Sequence, residues 1–222
     1  MAEIIVVDYH KGNLLSVERG LAAAGANVRV SDDPAVIAKA DAIVLPGVGA
    51  FADAMEYIEE SGQGDVMRDL VASGRPFLGI CLGMQLLFAR GDEGVPADAE
   101  DPSVRGLGIF EGSCIRMPDK GLKIPHVGWD QVRAVADEAG YPVCPLLAGI
   151  PDQGNYYFTH SYIASADDES VVTGWTDYGV RFPSVVSRDA VFGCQFHPEK
   201  SSGKGLAILS NFVDIVSGER EV

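Results

Sequence analysis

Three short apolar runs constrain the fold more than anything else in the chain. They are Ile4–Val7, Ala42–Leu45 and Phe77–Ile80, and Val28-Arg29-Val30 adds a further strand-like run. Uninterrupted runs of this length read as strands buried on both faces. The segments between them carry helical spacing. Leu14, Leu15, Val17, Leu21 and Ala24 form one apolar stripe, stopped by Gly25. Pro34–Ala40 follows a cap at Ser31 or Asp33, and Phe51–Glu60 and Asp65–Ala72 are parted by Gly62 and Gly64. Strand and helix in alternation predict an open parallel sheet covered on both faces. In such sheets ligands sit beyond the C-terminal strand ends. The turns after Asp8, after Leu45 and after Ile80 therefore share one edge.

The second half changes pattern. Arg90–Ser103 is polar, acidic and rich in Gly and Pro, and reads as a surface loop. Short strand-like runs follow at Gly108–Arg116, Gln131–Val135, Tyr156–Thr159, Val171–Thr176, Ser184–Ser187 and Val191–Phe196, and a helix closes the chain at about Gly205–Val216. Pro125-His126-Val127-Gly128-Trp129-Asp130 lies between two of these runs. No repeat or linker divides the 222 residues. The expectation is a single α/β domain over residues 1–222: an open, doubly wound, mostly parallel sheet with added antiparallel strands.

The chemistry begins at Gly79-Ile80-Cys81-Leu82-Gly83. A buried strand meets a helical pattern, Leu82 to Ala89, with cysteine at the turn. This is the Gly-x-nucleophile-x-Gly form of a nucleophile elbow. The turn puts the thiol at a helix N-terminus, where the dipole and free N–H groups favour a thiolate. A structural cysteine fits the pentapeptide equally well. A second motif, Gln195-Phe196-His197-Pro198-Glu199, also ends a strand. A cysteine nucleophile needs a base, and the base an orienting group. His197 and Glu199 suit those roles, and Pro198 fixes the backbone between them. Pro46-Gly47-Val48-Gly49 is a glycine-rich turn suited to offering a backbone N–H to an oxyanion.

Other chemistries find little support. The remaining histidines, His10, His126 and His160, form no pair at zinc-ligand spacing, and there is no phosphate-loop or dinucleotide fingerprint. No metal or cofactor is expected. The net charge is −15, with 32 acidic residues against 17 basic ones. Such a surface speaks against nucleic acid as a partner, and its lysine-poor acidity suits high salt. No apolar run approaches the ~18 residues needed to span a bilayer, and the start of the chain lacks the marks of a signal peptide. Cys81, Cys114, Cys144 and Cys194 form no disulfide framework. A free-thiol protein of the cytoplasm is the expectation.

Taken together, Pro46-Gly47-Val48-Gly49-Ala50-Phe51, Gly79–Gln85 and Gln195–Ser201 resemble the class I glutamine amidotransferases, whose fold is flavodoxin-like. Asp8-Tyr9 with Gly12-Asn13-Leu14, Met84 before Gln85, Pro125–Trp129 and His160-Ser161-Tyr162 narrow the resemblance. They point to the glutaminase subunits that feed ammonia to a cyclase in histidine biosynthesis. The resemblance implies that Cys81, His197 and Glu199 hydrolyse glutamine to glutamate and ammonia. It implies an oxyanion hole from Leu82 and the Val48-Gly49 turn, and substrate contacts from Gln85, Ser161 and Tyr162. It also implies a heterodimer with a (β/α)8-barrel cyclase subunit that makes imidazole glycerol phosphate and aminoimidazole carboxamide ribonucleotide. Asn13 and Trp129 are candidates for that interface, though Asn13 equally fits a helix cap and Trp129 a core residue. Another amidotransferase subunit of the class, a silent module on the same scaffold and a stand-alone hydrolase are the alternatives. The chain reads Tyr9-His10-Lys11-Gly12-Asn13 where the family usually has Tyr-Gly-Met-Gly-Asn, and it carries Val127 and Asp130 in the later segment.

Overall fold

The computed structural model describes residues 2–96, 99 and 101–221. The first half runs β1 (Glu3–Val7), α1 (Leu14–Ala23), β2 (Asn27–Ser31), α2 (Pro34–Ile37), β3 (Ala42–Leu45), α3 (Phe51–Glu60), α4 (Gln63–Ala72), β4 (Phe77–Ile80) and α5 (Leu82–Leu86). The second half supplies β5 (Phe88–Gly91), β6 (Val104–Arg105), β7 (Phe110–Arg116), β8 (His126–Ala134), β9 (Gly154–His160) and β10 (Tyr162–Ala166). It closes with β11 (Val172–Tyr178), β12 (Val180–Arg188), β13 (Val191–Cys194) and α6 (Ser202–Ser217).

Nine strands form one sheet in the order β2-β1-β3-β4-β13-β12-β11-β8-β9. The first five are parallel and the last four continue antiparallel. Strand β1 shows why the apolar runs are continuous. Successive side chains point to opposite faces. Ile4 and Val6 join the core under α1 and α6, with Val17, Leu21, Ile208 and Phe212. Ile5 and Val7 join the core under α3 and α4, with Phe51, Met55, Ile58 and Met67. Each such side chain, fully buried, stabilises the fold by roughly 1.5–3 kcal/mol.

The helical run after Cys81 is shorter than its periodicity suggests. It ends at Leu86, and Phe88–Gly91 is a strand instead. Phe88 pairs with Phe110 and packs ring to ring against it, at 5.7 Å between centroids. That long-range pairing overrides the local pattern. Strand β5 belongs to a second sheet, β10-β7-β5-β6, which the sequence does not announce. Strands β6 and β10 gain their definition from distant partners, as Tyr162–Ala166 does from β7. The polar loop therefore begins after Gly91, and its residues 97, 98 and 100 lie outside the described residues. The Pro125–Asp130 segment is mostly strand: β8 starts at His126 and pairs with β9 through Val132. No helix of the described residues is long and apolar enough to cross a membrane.

Candidate active site

Parallel pairing brings the ends of β3, β4 and β13 to one edge. Cys81 sits at the end of β4 with φ 54° and ψ −108°, a conformation that L residues rarely adopt. Strain of this kind costs about 1–3 kcal/mol and persists only where its surroundings enforce it. Glycines on β4 and on its neighbour β13 allow the close approach that does so. A Cβ on Gly79 would lie 2.6 Å from the Gly83 carbonyl oxygen, and one on Gly193 would meet Met84 Cγ at 2.7 Å. The Cys81 N–H donates to the Cys194 carbonyl at 2.8 Å, so β4 and β13 stay paired one step past the strand. That register delivers His197 to the neighbourhood of Cys81.

His197 Nδ1 lies 2.8 Å from Glu199 Oε1, with side-chain exposures of 3% and 1%. A serine bolts this turn in place. Ser201 Oγ donates to the His197 carbonyl at 2.6 Å and accepts from the Tyr157 N–H at 2.9 Å. The His197 N–H donates to the Tyr157 carbonyl. Burial alone would lower the imidazole pKa; the Cys81 thiol and the Glu199 carboxylate outweigh it and raise it to about 9. His197 Nε2 is buried with no partner of good hydrogen-bond geometry, which leaves it available at the thiol side of the ring.

A cavity of about 400 Å³ opens above Cys81, lined by Val48, Gly49, Leu82, Gln85, Ser161 and Tyr162 among others. The structure thus brings the elbow, the glycine turn and the Ser161-Tyr162 segment together. Leu82 opens α5, so its N–H has no acceptor within the helix. Gln85 lines the cavity, and its amide donates to the Tyr162 carbonyl and to Gln195 Oε1, both at 3.0 Å. Asn13 and Trp129 lie away from this lining. Asn13 precedes α1 but makes no side-chain cap bond. Trp129 is 54% exposed and therefore not core.

Two residues escaped the sequence reading. Glu93 lines the cavity half-buried, its carboxyl pKa raised by burial and only partly offset by the Phe51 backbone. It sits in a polar loop, and only the docking of that loop on the N-terminus of α3, through Ala52 N–H to Glu93 O, brings it to the site. Gln195 stands within the His-Pro-Glu motif yet reaches Cys81 itself, with Nε2 3.7 Å from Sγ. A third feature is the buried pair His126 and His160, Nδ1 to Nε2 at 3.2 Å, beside the cavity. Burial chiefly, with His126 and His197 adding, lowers the His160 pKa to about 3, although its bond to the Tyr162 carbonyl acts the other way. Cys114, Cys144 and Cys194 are buried thiols whose pKa values burial raises. Among the described residues no cluster of His, Cys, Asp and Glu could hold a metal ion.

The chain that carries this arrangement has relatives among known proteins. The model of the family "Glutamine amidotransferase class-I" matches residues 5–216, and the chain belongs to that family. The imidazole glycerol phosphate synthase subunit HisH of Symbiobacterium thermophilum is 48% identical over 212 residues, covering 96% of this chain and 93% of that one. The protein of the same name from Halobacterium salinarum is 48% identical over 217 residues, covering 96% and 93%. Among solved structures, a glutamine amidotransferase superposes with a TM-score of 0.69 at 18% identity, covering 96% of this chain and 98% of that one. PurLQS from Thermotoga maritima superposes at 0.68 and 16%, covering 97% and 100%. These likenesses at low identity establish the shared fold.

Proposed function

We propose that this chain, as one amidotransferase domain over residues 1–222, is the glutaminase subunit of imidazole glycerol phosphate synthase. It hydrolyses glutamine and passes ammonia to a cyclase subunit in histidine biosynthesis. The observation that carries the reading is the meeting of Cys81, which lines the cavity, with the buried His197–Glu199 pair behind it. The relatives' identity of up to 48% over nearly the whole chain supports the choice within the class.

The geometry supports the following chemistry. Cys81 Sγ loses its proton to His197 Nε2 and attacks the side-chain amide carbon of glutamine. The carbonyl oxygen becomes an oxyanion, stabilised by the Leu82 N–H and by an N–H of the Val48-Gly49 turn. His197 returns the proton to the leaving nitrogen, and ammonia departs from a glutamyl thioester. Water, deprotonated by His197, then attacks the thioester; glutamate leaves and the thiol re-forms. Glu199 holds the imidazole in register and stabilises its charged form. Gln85, Ser161 and Tyr162 position the substrate, and the Glu93 carboxylate receives its α-ammonium group.

The partner is a cyclase subunit, a (β/α)8 barrel, bound as a heterodimer. Asn13 and Trp129 lie in that interface. The pair works in the cytoplasm, where reduced thiols are maintained, without cofactor and without nucleic acid or membrane contact. The test mixes the chain with the cyclase subunit and follows glutamate release with and without the cyclase's nucleotide ligand. A low basal rate that rises sharply with both is expected. A high rate indifferent to partner and nucleotide would instead indicate a stand-alone hydrolase.

A further inference from the structure

We propose that Gln195 is the hydrogen-bond donor that orients Cys81 Sγ and stabilises its thiolate, a positioning residue beyond the Cys81, His197 and Glu199 set. The inference rests on the reading of Cys81 as nucleophile.

The argument is one of direction. A carboxamide has a donor end and an acceptor end, and its hydrogen-bond network decides which faces where. The Tyr162 carbonyl can only accept, so Gln85 must present its amino group there, at 3.0 Å. The other N–H of that group donates to Gln195, at 3.0 Å, and so requires the oxygen end of Gln195. The amino end of Gln195 is then left for Cys81 Sγ, at 3.7 Å. No link in this chain can be reversed without setting two donors or two acceptors face to face. Gln195 is fully buried, and its backbone N–H donates to the Ser184 carbonyl at 3.0 Å, which fixes where the side chain starts.

The sulfur is thus placed between two opposite partners. The Thr159 carbonyl, 3.9 Å away, can take a hydrogen bond only from the protonated thiol. The Gln195 N–H strengthens when the sulfur becomes an anion, because a donor to a charged acceptor is roughly twice as strong as to a neutral one. Deprotonation therefore loses one contact and reinforces the other. The same carboxamide chain ties the nucleophile to the Tyr162 backbone, so the thiol and the substrate-lining segment share one fixed frame.

The test is the pH dependence of Cys81 alkylation by iodoacetamide, read by mass spectrometry of the Cys81 peptide in the full chain. Gln195→Met keeps the bulk and removes the donor. It should move the alkylation profile to higher pH and slow alkylation at neutral pH several-fold. Gln195→Glu, which presents a carboxylate oxygen to the sulfur, should move it further. If Gln195→Met does not fold, Gln85→Met serves, since it frees Gln195 to turn over and should shift the profile the same way. Unchanged profiles in folded variants would overturn the inference. Glutamate release by the wild-type chain with its cyclase is measured alongside. Absence of that activity counts against the proposed function, whereas the alkylation profile judges Gln195 alone.

Discussion

Gly83 lies so close to Leu45 that a Cβ on it would come within 1.7 Å of the Leu45 carbonyl oxygen. The contact presses the first turn of α5 onto the end of β3, the strand that leads into Pro46-Gly47-Val48-Gly49. It therefore sets the spacing between the Cys81 elbow and the glycine turn. Gly83→Ala has no way to relieve the clash, because the obstacle is backbone. We expect a lowered melting temperature and loss of glutamate release, both far beyond the effect of Gly203→Ala. Gly203 sits in α6 with nothing within 4 Å of its Cβ position, and alanine there should be neutral or stabilising by up to about 1 kcal/mol. Equal melting temperatures for the two variants would contradict the packing argument.

Cys81→Ala separates the two halves of the proposed reaction. It should abolish glutamine-dependent product formation by the complex, while free ammonia still supports the cyclase. Losing both activities in a folded complex would show that the two subunits do not divide the work in this way.

Two buried histidines give stability opposite dependences on pH. His197 has its pKa raised from 6.5 to about 9. Its contribution is complete below the unfolded value of 6.5 and is lost as pH rises through 9. For His160 the folded value is lowered from 6.5 to about 3. The unfolded chain takes that proton first, so the contribution is complete above pH 6.5 and erodes as pH falls toward 3. Thermal melts across this range should show a maximum near neutrality. Glu199→Gln should flatten the alkaline limb and leave the acid limb in place. An alkaline limb of unaltered slope would remove Glu199 from the explanation.

Trp129 and Val127 project from the same face of β8, 54% and 53% exposed. Exposed aromatics of this kind are frequent anchors of interfaces. Trp129→Ala should weaken cyclase binding about 10-fold or more, measured by titration calorimetry, without moving the melting temperature of the free chain. Unaltered affinity would place the interface elsewhere. Val127 pairs with Thr159, whose carbonyl contacts Cys81 Sγ, so a partner on this face would lie one strand from the thiol.

The net charge of −15 predicts a response to salt. Screening weakens the repulsion among exposed carboxylates. The melting temperature should climb as KCl is raised from about 0.1 M toward molar concentrations. Full stability and activity at low salt would mark the acidity as ordinary.

Much of this protein was settled by its sequence alone. Ile4–Val7, Ala42–Leu45 and Phe77–Ile80 announced the parallel strands because a strand buried on both faces admits only apolar side chains. Cys81 between Gly79 and Gly83, and His197 two residues before Glu199, marked the candidate site because each motif is contiguous in the chain. The rest depended on contacts between distant segments. Strands β5, β6 and β10 exist through their partners, and Phe88 is a strand residue because Phe110 lies beside it. Glu93 reaches the cavity because its loop docks on α3. Gln195 faces the sulfur because Gln85, 110 residues away in sequence, and Tyr162 together orient its carboxamide. Backbone preference and hydrophobic period are local and can be read along a chain. The direction of a hydrogen bond belongs to a network, and that network forms only once the chain has folded.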